Sequence, residues 1–121
     1  MPQRLLVVDD EADFGSFVRK VAEDASFEVR VLDDAHLFKQ TYEQFAPERI
    51  VLDVVMPGID GIEIMKWLAS VGNKAGVILV SGYSPHYAKA AKLMVKANAD
   101  FKVTLLTKPV SIADLVRALK T

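Results

Sequence analysis

Ile50-Val51-Leu52-Asp53-Val54-Val55-Met56-Pro57-Gly58-Ile59-Asp60-Gly61 is the stretch on which the fold turns. Its apolar run is too short for a helix and ends on a carboxylate, and Pro57, Gly58 and Gly61 break the chain before an amphipathic pattern begins. This reading places Asp53 at the carboxyl end of a buried strand, the edge at which open α/β sheets bind their ligands. Taken alone, the stretch fits a turn-initiating aspartate equally well. The surrounding residues decide between the two, because an ionised carboxylate at a buried edge needs a positive neighbour.

Upstream, Arg4-Leu5-Leu6-Val7-Val8 reads as a buried first strand that runs straight into Asp9, Asp10 and Glu11. Phe14, Phe17, Val18, Val21, Ala22 and Ala25 repeat at helical spacing and put a first helix over roughly 11–25. Phe27 to Leu32 gives a second strand, and Leu37, Phe38, Thr41, Tyr42 and Phe45 a second helix closed by Pro47. Downstream of Gly61, the residues Ile62, Met65, Leu68 and Ala69 mark a third helix ended by Gly72. Val77-Ile78-Leu79-Val80 is a fourth strand stopping on Ser81-Gly82, and a fourth helix rich in alanine and lysine follows from about Pro85 to Asn98. Val103 to Leu106 is a fifth strand ending at Thr107-Lys108-Pro109. Ile112, Leu115, Val116 and Leu119 form the last helix, with Ser111 as its N-cap and Asp114 three residues on. Strand and helix alternate throughout, which argues for one α/β domain over residues 1–121 with a five-stranded parallel sheet covered on both faces.

Composition agrees: 51% hydrophobic and 26% charged residues suit a globular domain and exclude a disordered chain. The absence of cysteine excludes a disulfide framework and thiolate metal sites. No apolar run reaches membrane-spanning length and the Met-Pro-Gln-Arg start is no signal peptide, so the expected location is the cytoplasm, with no membrane contact. The net charge of −1 conceals an imbalance, since residues 1–60 carry 13 acidic and 6 basic side chains and residues 61–121 carry 3 and 9. The two halves are expected to interleave in the fold, so that these charges mix.

The polar residues of interest all fall at carboxyl ends of strands: Asp9 and Asp10 after the first, Asp53 after the third, Ser81 after the fourth and Lys108 after the fifth. In a parallel sheet these ends share one edge, and the five residues converge on one crevice. Three close carboxylates repel one another, and a hard divalent cation such as Mg²⁺ relieves the repulsion. A hydroxyl and an ammonium beside a metal-held carboxylate point to phosphoryl chemistry, in which catalysis is mostly positioning and charge neutralisation. Mg²⁺, Lys108, and Ser81 with a backbone N–H near Gly82 would each take one phosphoryl oxygen. Asp53, at the centre, would be the nucleophile.

The sequence Val-Val-Asp-Asp-Glu, then Leu-Asp-Val-Val-Met-Pro-Gly-Ile-Asp-Gly, Val-Ser-Gly and Thr-Lys-Pro resembles the receiver domain of two-component response regulators, over essentially the whole chain. The resemblance implies a flavodoxin-like doubly wound (βα)5 fold with strand order 2-1-3-4-5. It implies that Asp53 is phosphorylated by a sensor histidine kinase or histidine phosphotransfer protein, and that Ser81 and Lys108 engage the phosphoryl group. It further implies that Asp10, Asp53 and the backbone carbonyl of Val55 ligate Mg²⁺ directly, with Asp9 acting through water, and that the Lys108–Pro109 bond is cis. Phosphorylation would then switch the face made by the fourth helix, fifth strand and last helix toward an output partner, and the domain would catalyse only its own phosphorylation and dephosphorylation.

Two features depart from that family's pattern. Leu105 stands where an aromatic residue usually precedes the lysine by three positions, and the interval from Ser81 to Lys108 is several residues longer than usual. Both resemble receivers joined to cyclic-dinucleotide phosphodiesterase modules. Val55 and Tyr83 are neither acids nor amides that could aim an attacking water, so slow self-dephosphorylation is expected. His36 and His86 lack partners at ligand spacing and read as surface or capping residues. Lys89, Lys92 and Lys96 read as a solvated face without the interleaved aromatics of a nucleic-acid footprint, and Trp67 as a half-buried packing residue. Two other functions compete: a constitutive interaction module with vestigial phosphorylation, which Leu105 favours, and a haloacid-dehalogenase-type phosphatase. The latter's Asp-x-Asp motif is not matched by Asp9-Asp10-Glu11. With no output unit after Thr121, the chain is expected to be a stand-alone receiver or a fragment of a larger regulator.

Overall fold

The computed structural model describes residues 2–54, 61–82, 93 and 100–121. Five parallel strands, β1 (Arg4–Val8), β2 (Glu28–Leu32), β3 (Arg49–Asp53), β4 (Gly76–Ser81) and β5 (Val103–Thr107), form one sheet in the order β2-β1-β3-β4-β5. Around it lie α1 (Ala12–Asp24), a 3-10 turn (Ala35–Leu37) leading into α2 (Phe38–Phe45), α3 (Gly61–Ser70) and α4 (Ile112–Lys120). Of the expected helix over residues 85–98 only Leu93 is described, helical and exposed; the rest falls outside the described residues, and so do Val55, Tyr83, His86 and the Lys89, Lys92, Lys96 stripe.

Continuous apolar runs form the strands because both faces of the sheet are covered. Alternate residues serve opposite cores. Leu5, Val7, Val51, Ile78 and Val80 pack with Val18, Val21 and Ala22 of α1 and Leu115, Ala118 and Leu119 of α4. Leu6, Val8, Ile50, Leu52, Val77 and Leu79 pack with Phe38 and Phe45 of α2 and Ile64, Met65 and Leu68 of α3. Fully burying a side chain of this size contributes about 1.5–3 kcal/mol, so β1, β3 and β4, buried on both faces, are firmly held. That firmness matters because Asp9 and Asp53 stand at the carboxyl ends of β1 and β3.

The element ends follow local chemistry. Ser111 Oγ accepts the Asp114 N–H at 3.0 Å, the capping contact expected from sequence. Gly72 takes φ +70° after α3. α2 stops one residue before Pro47, at Ala46, which adopts the left-handed conformation with φ 51° and ψ 62° and returns its N–H to Tyr42 O. Proline restricts the residue before it and cannot continue the helix, so the alanine is left to make the turn.

The two sequence halves do not interleave in the sheet, contrary to expectation. The strand order keeps β2, β1 and β3 together on one side and β4 and β5 on the other. The halves meet along the β3–β4 pairing and where α1 packs on α4.

Candidate functional site

Register brings the strand ends level. Val8 pairs with Leu52, Asp53 with Val80 and Ser81 with Thr107, so Asp9, Asp53, Ser81 and Lys108 emerge at one edge. Two backbone bonds lock the arrangement, from Val54 N–H to Val80 O at 3.0 Å and from Lys108 N–H to Ser81 O at 2.9 Å. The first residue of α3 closes against it: Gly61 N–H donates to Val54 O at 2.8 Å. A Cβ on Gly61 would lie 2.4 Å from Asp53 O and 2.8 Å from Val54 Cα, so only glycine lets α3 start this close to the end of β3. The Lys108–Pro109 bond is cis, as the family resemblance implied.

The site is strongly charged and poorly solvated. Asp9 is 1% exposed, Asp53 4%, Ser81 0% and Lys108 8%, whereas Asp10 is exposed. Lys108 places its ammonium over the Phe14 ring, with Nζ 4.5 Å from the centroid. Its ammonium then meets three carboxylates: Glu11 Oε1 at 2.7 Å, Asp9 Oδ2 at 3.0 Å and Asp53 Oδ2 at 3.6 Å. Burial opposes the charge on Lys108, but Glu11, Asp9 and Asp53 together outweigh it and hold the ammonium protonated well above the usual lysine range. Burial pushes the Asp9 carboxyl up, against the hydrogen bond its Oδ1 accepts from Glu11 N–H at 2.8 Å and against the Lys108 charge.

Carboxylate oxygens of Asp9, Asp10 and Asp53 lie within 4.8 Å of one another. All are hard oxygen donors with an excess of negative charge, a set that fits Mg²⁺. A second observation points the same way: Ser81 Oγ is buried and has no hydrogen-bond partner among the described residues. Such an orphan costs about 1–3 kcal/mol and marks a place where a polar ligand would be welcome.

All of the expected side chains Asp9, Asp10, Asp53, Ser81 and Lys108 are thus brought together, while the expected Val55 carbonyl lies outside the described residues. Sequence reading gave Glu11 no role, although its carboxylate makes the shortest contact to Lys108. A signal was available: Glu11 is the N-cap of α1 but not a good capping residue, and it makes no capping bond. Leu105 pairs with Leu79 in register and packs, half-buried, against the core shared with α2 and α3. Trp67 is the packing residue expected, meeting Phe38 and Tyr42 edge-on at 5.9 and 5.4 Å. His36 is exposed beside Asp34, which caps the 3-10 turn.

A family model, the response regulator receiver domain, matches residues 5–120, and the chain belongs to that family of two-component signalling domains. It is similar to the transcriptional regulatory protein PrrA of Mycobacterium tuberculosis, with 32% identity over 117 residues, covering 97% of this chain and 48% of PrrA. It is also similar to protein-glutamate methylesterase/protein-glutamine glutaminase 5 of Myxococcus xanthus, with 32% identity over 114 residues, covering 93% of this chain and 32% of that protein. The chain therefore spans half or less of the length of these relatives. Among solved structures, the signal receiver domain of a response regulator from Bermanella marisrubri superposes with a TM-score of 0.83 at 24% identity, covering 99% of this chain and 97% of that one, a likeness of fold. No helix among the described residues is long and apolar enough to cross a membrane.

Proposed function

We propose that residues 1–121 form one phosphoacceptor domain in which Asp53 takes a phosphoryl group from the phosphohistidine of a sensor histidine kinase or histidine phosphotransfer protein in the cytoplasm. The observation that carries this reading is the meeting of Asp9, Asp10, Asp53 and Lys108 around a buried Ser81 hydroxyl that has no partner among the described residues. Asp53 supplies an oxygen nucleophile; the new O–P bond forms as the donor P–N bond breaks, and the electron pair leaves on the imidazole. Lys108, already within 3.6 Å of Asp53, neutralises one phosphoryl oxygen. Ser81 Oγ–H donates to another, which gives the orphan hydroxyl its partner. Asp10, Asp53 and the Val55 carbonyl would hold Mg²⁺, with Asp9 acting through water. When bound, the ion supplies charge neutralisation across the acids and the transferring group.

The only chemistry of the domain in this reading is its own phosphorylation and dephosphorylation, and its output is a changed surface over residues 85–98, β5 and α4. A constitutive interaction module is the second reading, favoured by Leu105: it packs, half-buried, against the core and has neither the ring nor the hydroxyl that would report on the site. Intact mass after incubation with acetyl phosphate decides between them. The expected result is a gain of about 80 Da that requires both Mg²⁺ and Asp53 and is absent from Asp53→Ala. A folded, Mg²⁺-loaded protein without the adduct refutes the phosphoacceptor reading.

A further inference from the structure

The most strongly engaged partner of Lys108 is not the residue it is expected to serve. Its ammonium lies 2.7 Å from Glu11 and 3.0 Å from Asp9 but 3.6 Å from Asp53. Asp9 and Asp53 are buried, yet Glu11, 64% exposed in its side chain, makes the shorter bond and draws the ammonium toward the rim. The Glu11 backbone is fixed at both ends, its N–H by Asp9 Oδ1 at 2.8 Å and its C=O by Gly15 N–H at 3.1 Å as α1 begins. Its side chain carries no capping bond. A carboxylate on a fixed backbone whose contact among the described residues is with Lys108 is well suited to hold that cation in one place.

We propose that Glu11 is a positioning residue, a latch that holds Lys108 closer to itself than to Asp53 in the resting domain, so that phosphorylation requires Lys108 to pass from Glu11 to the phosphoryl group. This rests on the phosphoacceptor reading above. One positive charge cannot serve four anionic groups at once, and the incoming phosphoryl must outcompete Glu11 for it. Releasing the latch lets Lys108 settle nearer Asp53 before the donor arrives. The competing contact is a half-exposed ion pair, so the expected gain in phosphorylation rate is about two- to fivefold.

The test compares wild type with Glu11→Gln and Glu11→Asp. Two readouts are taken: the rate of acetyl phosphate uptake by intact mass, and the Lys108 Nζ resonance of the metal-free protein by NMR. Glu11→Gln removes the charge, whereas Glu11→Asp keeps it but shortens the reach by one methylene. A latch predicts faster uptake in both variants and a moved Lys108 resonance in both. If Glu11→Gln is faster and Glu11→Asp matches wild type in both readouts, the effect is general charge repulsion and the latch is refuted. Unchanged rates and an unchanged resonance in both variants refute it as well. The NMR arm needs no phosphoryl transfer, so a wild type that takes up no phosphate would overturn the phosphoacceptor reading while the position of Lys108 is still measured.

Discussion

Substituting Gly61 by alanine should damage the site through its mounting rather than its chemistry. The added Cβ would lie 2.4 Å from Asp53 O, and real Cβ atoms essentially never come within 3.0 Å, so the start of α3 and the end of β3 must part by at least 0.6 Å. Both obstructing groups are backbone, and neither can swing aside as a flexible side chain would. The 2.8 Å bond from Gly61 N–H to Val54 O stretches beyond useful length, a loss of about 0.5–1.5 kcal/mol. Overpacking against a fixed core adds about 1–3 kcal/mol. The expected destabilisation is therefore about 2–4 kcal/mol by urea unfolding at constant m-value. Displacing Asp53 by a sizeable fraction of an ångström should also slow acetyl phosphate uptake about tenfold or more. Gly72→Ala is the control. Gly72 has φ +70° and open space around it, so alanine there meets strain of about 1–2 kcal/mol and no clash, and uptake should stay at the wild-type rate. A Gly61→Ala protein within about 0.5 kcal/mol of wild type, or one that loses stability but takes up phosphate normally, refutes the reasoning.

Three further outcomes follow from the same geometry. Ser81→Ala removes a buried hydroxyl with no partner among the described residues, so the metal-free protein should gain about 1 kcal/mol while phosphoryl uptake falls about tenfold or more; a clear loss of stability in urea would mean the hydroxyl is satisfied. Because burial raises the Asp9 pKa, the folded protein holds that proton more tightly than the unfolded chain does. The Asp9 contribution to stability is therefore lost as pH rises from the ordinary aspartate range through the raised folded value. The Lys108 contribution, with its pKa also raised, is lost only as pH rises from the ordinary lysine range upward through the folded value. Asp9→Asn should remove this loss from metal-free urea unfolding and, by taking one carboxylate from Lys108, bring the alkaline loss to lower pH; a profile parallel to wild type would contradict this. Ala46→Gly should stabilise the protein by about 0.5–1 kcal/mol in thermal unfolding, because relief of the left-handed strain at φ 51° exceeds the entropy cost of glycine; a lower Tm would show that strain is absent.

Most of the site was legible in the sequence because it depends on where strands stop. A five-residue apolar run followed by Asp, or by Ser-Gly, or by Thr-Lys-Pro, states both the strand and the group at its end. A parallel sheet then gathers those ends without further information. Strand order was another matter, since nothing in the runs themselves says that β1 sits between β2 and β3, and it came from family resemblance. The charge imbalance misled for a related reason: whether halves interleave is a property of strand order, which keeps β2, β1 and β3 apart from β4 and β5. Glu11 was overlooked because its role depends on the direction of a side chain after the turn, and the acidic run Asp9-Asp10-Glu11 looks the same whichever of its members face inward. Ala46 was hidden by Pro47, the more conspicuous residue, although the left-handed turn falls on the alanine.

The bond from Lys108 N–H to Ser81 O works as a ruler. It ties together the backbones from which the ammonium and the hydroxyl hang, one residue beyond the pairing of Ser81 with Thr107. Side chains at these two positions can rotate or be exchanged, but the separation of their roots is set by the spacing of neighbouring strands. Retuning this pocket for a group larger or smaller than phosphate would therefore be a matter of changing the arms and not the shoulders, and a redesign that needed wider shoulders would have to begin with a different sheet.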